Sequence, residues 1–198
     1  EDLIEAAKAA PGTILAGAAG SGSIHHLNLL ALEKGSGTSF QFIPYDGSAP
    51  AQNAAMTGEI AVIITSVAEQ AELIRGGKLR PLGMLTPESF NLAGTVIPSA
   101  FDAYPSLAEY LPLNQSIGFA VPMGAPQEVK EVLYKAFDTA MASDAVKSFG
   151  EEKYYVLSGK RGPEANKVFA ALESNFAWTL WELGAADVNP ADLNIPKP

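Results

Sequence analysis

Between residues 13 and 75 the chain repeats one unit three times: an apolar run, a loop and a helical pattern. The runs at residues 13–17, 39–43 and 60–64 are apolar almost throughout, with no polar alternation. A strand without alternation is covered on both faces, so the repeat specifies a parallel sheet with helices on both sides. The helices read as 24–35, with Leu27, Leu30 and Ala31 inward; 49–57, closed by Gly58; and 67–75, ended by Gly76-Gly77. Asp2 is placed to cap a lead-in helix to Ala10, stopped by Pro11-Gly12, and residues 80–85 read as a further strand.

Ligands of open parallel sheets bind outside the carboxyl ends of the strands. That rule draws three exits together: residues 18–23, residues 45–48, and Thr65-Ser66. The first holds Gly20-Ser21-Gly22-Ser23 directly before a helix. Its glycines let a ligand approach the backbone, its serines offer hydroxyl donors and a cap, and the helix N-terminus adds about half a positive charge. Such a loop cradles a carboxylate or a phosphate, or is simply a capped turn. No Gly-Lys-Ser/Thr follows, which excludes a P-loop, and the spacing of Gly17, Gly20 and Gly22 is not the dinucleotide fingerprint.

Beyond residue 85 the pattern loosens. Residues 86–112 read as a connection with a short helix near 107–110, and 116–121 as a strand. Residues 127–141 form an amphipathic helix, 154–157 a further strand, 163–183 a long helix opened by Pro163, and 185–198 an extended tail. Trp178 and Trp181 share their helical spacing with Phe169, Leu172, Phe176 and Leu180, a core pattern. The Glu151-Glu152-Lys153 run reads as solvated surface.

Composition narrows the partners. A net charge of −9 argues against nucleic acid and anionic membranes, yet leaves room for an anion held locally by amides. The absence of cysteine excludes disulfides, thiolate zinc sites and cysteine nucleophiles. His25-His26 are adjacent and point about 100° apart on a helix, a poor chelate, so no metal site is expected. Gly20-Ser21-Gly22 lacks the Gly-x-Ser-x-Gly of a nucleophile elbow, so no catalytic residue is assigned. An α/β serine hydrolase is the alternative reading.

An ordered set of segments then resembles the TctC-like, or Bug, family. It comprises Ala9-Ala10-Pro11-Gly12, Gly20-Ser21-Gly22-Ser23-Ile24-His25-His26-Leu27, Pro44-Tyr45-Asp46-Gly47-Ser48-Ala49-Pro50-Ala51 and Gly58-Glu59-Ile60-Ala61-Val62. Gly76-Gly77-Lys78-Leu79-Arg80-Pro81-Leu82, Tyr104-Pro105-Ser106-Leu107-Ala108-Glu109 and Phe119-Ala120-Val121-Pro122-Met123-Gly124-Ala125-Pro126 continue it. The resemblance implies a type II periplasmic-binding-protein-like α/β fold, and a non-catalytic extracytoplasmic receptor that passes a small carboxylic acid to the membrane subunits of a tripartite transporter. A receptor presenting its ligand to a membrane kinase is the variant of that reading.

By this resemblance residues 1–10 lead in from an incomplete first lobe, 11–120 form the second, ligand-binding lobe, and 121–198 return to the first. The opening strand of the first lobe and the signal peptide are expected to be missing from this stretch, which would leave a sheet edge open to dimerisation. The expected ligand-binding residues are Gly20, Ser21, Gly22, Ser23, His26, Tyr45, Gly47, Ser48, Thr65 and Ser66, with no cofactor. Ala61 and Thr65 stand where many relatives carry acids, which favours a di- or tricarboxylate over an amino acid.

Overall fold

The computed structural model describes all of residues 1–198. Two compact units divide the chain, residues 1–114 with 174–198, and residues 115–173.

The first unit opens with α1 (Asp2–Ala9), then β1 (Leu15–Ala19), α2 (Ile24–Ser36), β2 (Gln41–Tyr45), α3 (Ser48–Thr57), β3 (Val62–Ile63) and α4 (Val67–Arg75). β1 lies in the middle of a parallel sheet of order β2-β1-β3. It pairs with β2 from Leu15–Gln41 to Ala19–Tyr45, and with β3 through Ala16–Val62 and Gly17–Ile63. β3 is shorter than its apolar run, but pairing hydrogen bonds flank it: Ala61 N–H donates to Leu15 O at 3.0 Å and Ile64 N–H to Gly17 O at 3.1 Å. Pro44 is tolerated within β2 because β2 is an edge strand and one side of it needs no donor.

The chain steps from β1 to β2 on one side, then back across β1 to β3 on the other. With right-handed crossovers this reversal puts α2 and α3 on opposite faces and opens a crevice at the carboxyl ends of the strands. The α2 face carries the main core, in which Ala16 and Val62 of the sheet meet Leu29, Ala31 and Leu32 of α2, Ile4 and Ala7 of α1, and Leu107 and Leu111. Gly17 points the other way. A Cβ there would lie 2.4 Å from Ile60 Cδ1 and 3.0 Å from Tyr45 Cε2, so side chains of its neighbours already occupy that space.

α2 runs one residue past Gly35 and stops at Gly37, whose φ of 67° is left-handed. Gly35 serves packing instead: a Cβ on it would meet Leu107 Cδ2 at 2.7 Å, and its carbonyl accepts from the Ser106 hydroxyl. The expected strand at 80–85 does not form. Pro81 cannot donate, and a single parallel bridge, Met84 to Ser99, remains. The segment read as a connection contains a hairpin, β4 (Phe90–Leu92) and β5 (Thr95–Ile97), turned by Ala93 and Gly94 at φ 49° and 93°. Alanine is an unusual first residue for that turn, which hid the hairpin from sequence reading. Short 3-10 turns follow at Ala100–Asp102 and Pro105–Glu109.

The second unit holds α5 (Gln127–Ala142), α6 (Asp144–Glu152) and the first half of α7 (Pro163–Glu182). Ser143 ends α5 and caps α6 by accepting from Val146 N–H at 3.3 Å, so the expected surface run 151–153 is the end of a helix. Neither residues 116–121 nor 154–157 form a strand. Tyr154 turns at φ 60° and Tyr155 N–H donates back to Gly150 O at 2.8 Å, while Phe119 and Val156 are 97% and 96% exposed. No apolar side chain of this unit is fully buried. Within the second half of α7 and the tail, Trp178 Nε1–H donates to Pro196 O at 2.9 Å and Ser174 to the same carbonyl at 2.7 Å.

Candidate functional site

The three strand exits converge as their topology requires, and backbone carbonyls tie them together. Tyr45 O, at the end of β2, accepts from Gly20 N–H at 2.9 Å and from Gly47 N–H at 2.8 Å. One carbonyl thus fixes the loops entering both α2 and α3. Gly22 turns back at φ 76° and Gly47 at φ 107°, conformations that side-chain-bearing residues rarely adopt.

Ser23 caps α2. Its Oγ accepts from His26 N–H at 3.2 Å and donates to Ala19 O at 2.6 Å. The imidazole of His26 reaches back in turn, its Nδ1 accepting from Gly22 N–H at 3.1 Å. The ring lies stacked on Phe42, with centroids 4.0 Å apart and planes 16° apart. Burial lowers its pKa, which favours the neutral ring that Nδ1 acceptance requires. These bonds leave the amides of Ser21, Ile24 and His25 and the Ser21 hydroxyl without an intramolecular acceptor. They are the orphan donors of a helix N-terminus, held by a rigid loop.

The third exit is held by one acid that sequence reading did not select. Glu69, in the first turn of α4, accepts through Oε2 from Ser66 N–H at 3.1 Å and from Ser66 Oγ at 2.8 Å. His25 Nε2 approaches the same oxygen at 3.4 Å. His25 foremost, then Ser48 and Ser66, hold its pKa down at about 2 against the opposing effect of burial. The sequence signal for Glu69 was available: Ser66-x-x-Glu69 is a capping-box spacing. Nothing local announced that His25 of α2 would reach it.

Of the ten expected residues, Gly20, Ser21, Gly22, Ser23 and His26 share the α2 entrance, Gly47 is tied to it through Tyr45 O, Ser48 opens α3, and Ser66 reaches it through Glu69 and His25. Tyr45 contributes its backbone; its hydroxyl donates to Glu59 Oε1 at 2.8 Å. Thr65 Oγ1 accepts from Gln70 Nε2 at 2.7 Å, within its own helix entrance. The two histidines part company, His25 to Glu69 and His26 to Gly22 and Phe42, and neither imidazole bonds to Ser21.

The sequence profile described as "Tripartite tricarboxylate transporter family receptor" (TctC) matches residues 1–157. Among curated proteins, BugT of Bordetella pertussis is 31% identical over 148 residues, covering 73% of this chain and 43% of BugT. A UPF0065 protein in the gbd 5' region of Cupriavidus necator is 27% identical over 165 residues, covering 80% and 48%. The chain therefore spans about half the length of these relatives. Among solved structures, one described as a periplasmic transporter superposes with a TM-score of 0.76 at 23% identity, covering 95% of this chain and 60% of that one. The periplasmic binding protein BugD gives 0.69 at 20% identity, covering 93% and 61%, and an R. palustris protein with adipate gives 0.68 at 22%, covering 92% and 60%. No helix is long and apolar enough to cross a membrane. With the matching profile covering most of its length and the parallel α/β lobe of the periplasmic binding proteins, the chain belongs to the TctC family of tripartite tricarboxylate transporter receptors.

Proposed function

We propose that the chain captures a small carboxylic acid at the Gly20–Ser23 loop, as the solute-binding component of a tripartite transporter outside the cytoplasm. The observation that carries the reading is the set of free donors on Ser21, Ile24 and His25, presented at the carboxyl end of the central strand β1. An anion there meets amide donors and a helix dipole without a cationic side chain, which suits a chain of net charge −9. The adipate of the R. palustris neighbour supports the ligand class, and its likeness to this chain is one of fold.

In this reading residues 11–120 hold the binding face, residues 1–10 lead into it, and residues 121–198 return to the other lobe. Closure of the two lobes would exclude water and strengthen each charge-assisted bond. Membrane subunits would then take the acid from the closed form. A second copy of the chain would meet the first at residues 116–121, where Phe119 is exposed.

The test is thermal melting with adipate, citrate, malate, glutamate and an aromatic acid. A ligand at a hundred times its dissociation constant stabilises by about 2.7 kcal/mol, which moves the midpoint by several degrees. No shift with any of the five at millimolar concentration would end the proposal.

A further inference from the structure

Glu69 is unusual for a residue at an anion-binding face, because it is itself an anion. Its carboxylate has already collected the amide and hydroxyl of Ser66 at the start of α4. His25, buried at the start of α2, approaches the same oxygen. All three contacts fall on Oε2, so that oxygen is fully engaged and the charge is fixed beside the α2 entrance.

We infer that Glu69 is the specificity-determining residue of this face: its fixed negative charge, bonded to the entrance of α4 and 3.4 Å from the imidazole of His25, whose amide is one of the donors of the α2 cradle, repels a second ligand carboxylate. The inference rests on the functional reading above and narrows it. One carboxylate enters at Ser21, Ile24 and His25. An acid with carboxylates on neighbouring carbons, such as citrate, would push its second charge towards Glu69. A linear acid whose other end extends away, such as adipate, would not. Two unit charges several ångströms apart at a partly exposed protein surface differ in effect on the order of tenfold or more in affinity.

The experiment is calorimetric titration of adipate and citrate into the wild-type chain and into Glu69→Gln, which removes the charge and keeps an acceptor of the same shape. The expected result is tighter binding of adipate by the wild type, with the adipate-to-citrate ratio falling on the order of tenfold in Glu69→Gln. A ratio unchanged by the substitution, or a wild type that prefers citrate, overturns the inference while leaving carboxylate capture intact. A wild type that binds neither acid, nor any other of the panel above, overturns the functional reading and this inference with it. Should Glu69→Gln fail to fold, the salt dependence of the wild type gives the second arm. Screening weakens a charge repulsion, so the adipate-to-citrate ratio must fall as the salt concentration is raised from about 0.01 M to about 1 M. A ratio that does not move with salt assigns selectivity to local geometry and overturns the role of charge.

Discussion

His25 of α2 and Glu69 of α4 meet with Nε2 of one 3.4 Å from Oε2 of the other, and hold together two helices through residues 44 positions apart in the chain. His25 is buried and has this single acceptor, so the pair is a structural brace before it is anything else. Glu69→Ala removes the capping carboxylate and leaves His25 without its partner. The expected cost is about 2 kcal/mol in urea unfolding, with Glu69→Gln costing less. A loss within about 0.5 kcal/mol of zero for Glu69→Ala would show that the brace is dispensable.

The same carboxylate sets an acid limit. Its pKa is lowered to about 2 by His25, Ser48 and Ser66, so the folded state releases its proton more readily than the unfolded chain does. The stabilisation is complete above the ordinary value of 4.5 and is lost as pH falls from there towards 2. Melting curves of wild type and Glu69→Gln recorded from pH 7 to pH 3 should converge at the acid end. Parallel curves would contradict this.

His26 predicts a second pH dependence at milder acidity. Burial lowers its pKa, so its contribution is present above 6.5 and falls away as pH drops through the folded value. Protonated Nδ1 can no longer accept from Gly22 N–H. Amide exchange at Gly22, corrected for intrinsic rate, should therefore quicken between pH 7 and pH 5. Exchange at Gly22 that stays constant after correction would separate the ring from the loop.

Ser21 and Ser23 lie two residues apart and should respond oppositely to alanine. Ser23 caps α2, and Ser23→Ala should cost about 1 kcal/mol of stability. Ser21 is exposed and makes no intramolecular bond, so Ser21→Ala should leave stability unchanged and weaken carboxylate binding by roughly tenfold, the value of one charge-assisted hydrogen bond. Equal effects of the two substitutions on affinity would remove Ser21 from the cradle.

Phe119 gives a prediction for the second unit. Exposed on a segment that forms no strand, it is the apolar side chain that a second copy would cover in the proposed dimer. Phe119→Ser should lower self-association in sedimentation equilibrium. A wild type that stays monomeric at high micromolar concentration would remove the dimer from the proposal.

The repeat that organises the first unit was legible because its signals are local: apolar runs, small-residue helices, and glycines at 58 and 76. From the repeat alone came the parallel sheet and the meeting of three exits. Residues 116–121 carry the same apolar signal and form no strand, because a strand needs a neighbour and none stands beside them. The α2 loop was legible for the same reason as the sheet, since Ser23 and Gly22 act within four residues of themselves. Glu69 was legible only in part. Its two bonds from Ser66 follow a capping spacing that the sequence shows, whereas the approach of His25 from α2 is defined only by the folded chain.

The shared carbonyl of Tyr45 has a bearing on how relatives should be compared. Gly20 and Gly47 both bond to it, so the residue at this position acts on the loops through main-chain atoms that every amino acid possesses. Exchanging its side chain would leave that hinge between α2 and α3 in place. Column-by-column alignment would score such a position as variable, and its role would surface only when carbonyls, rather than letters, are superposed.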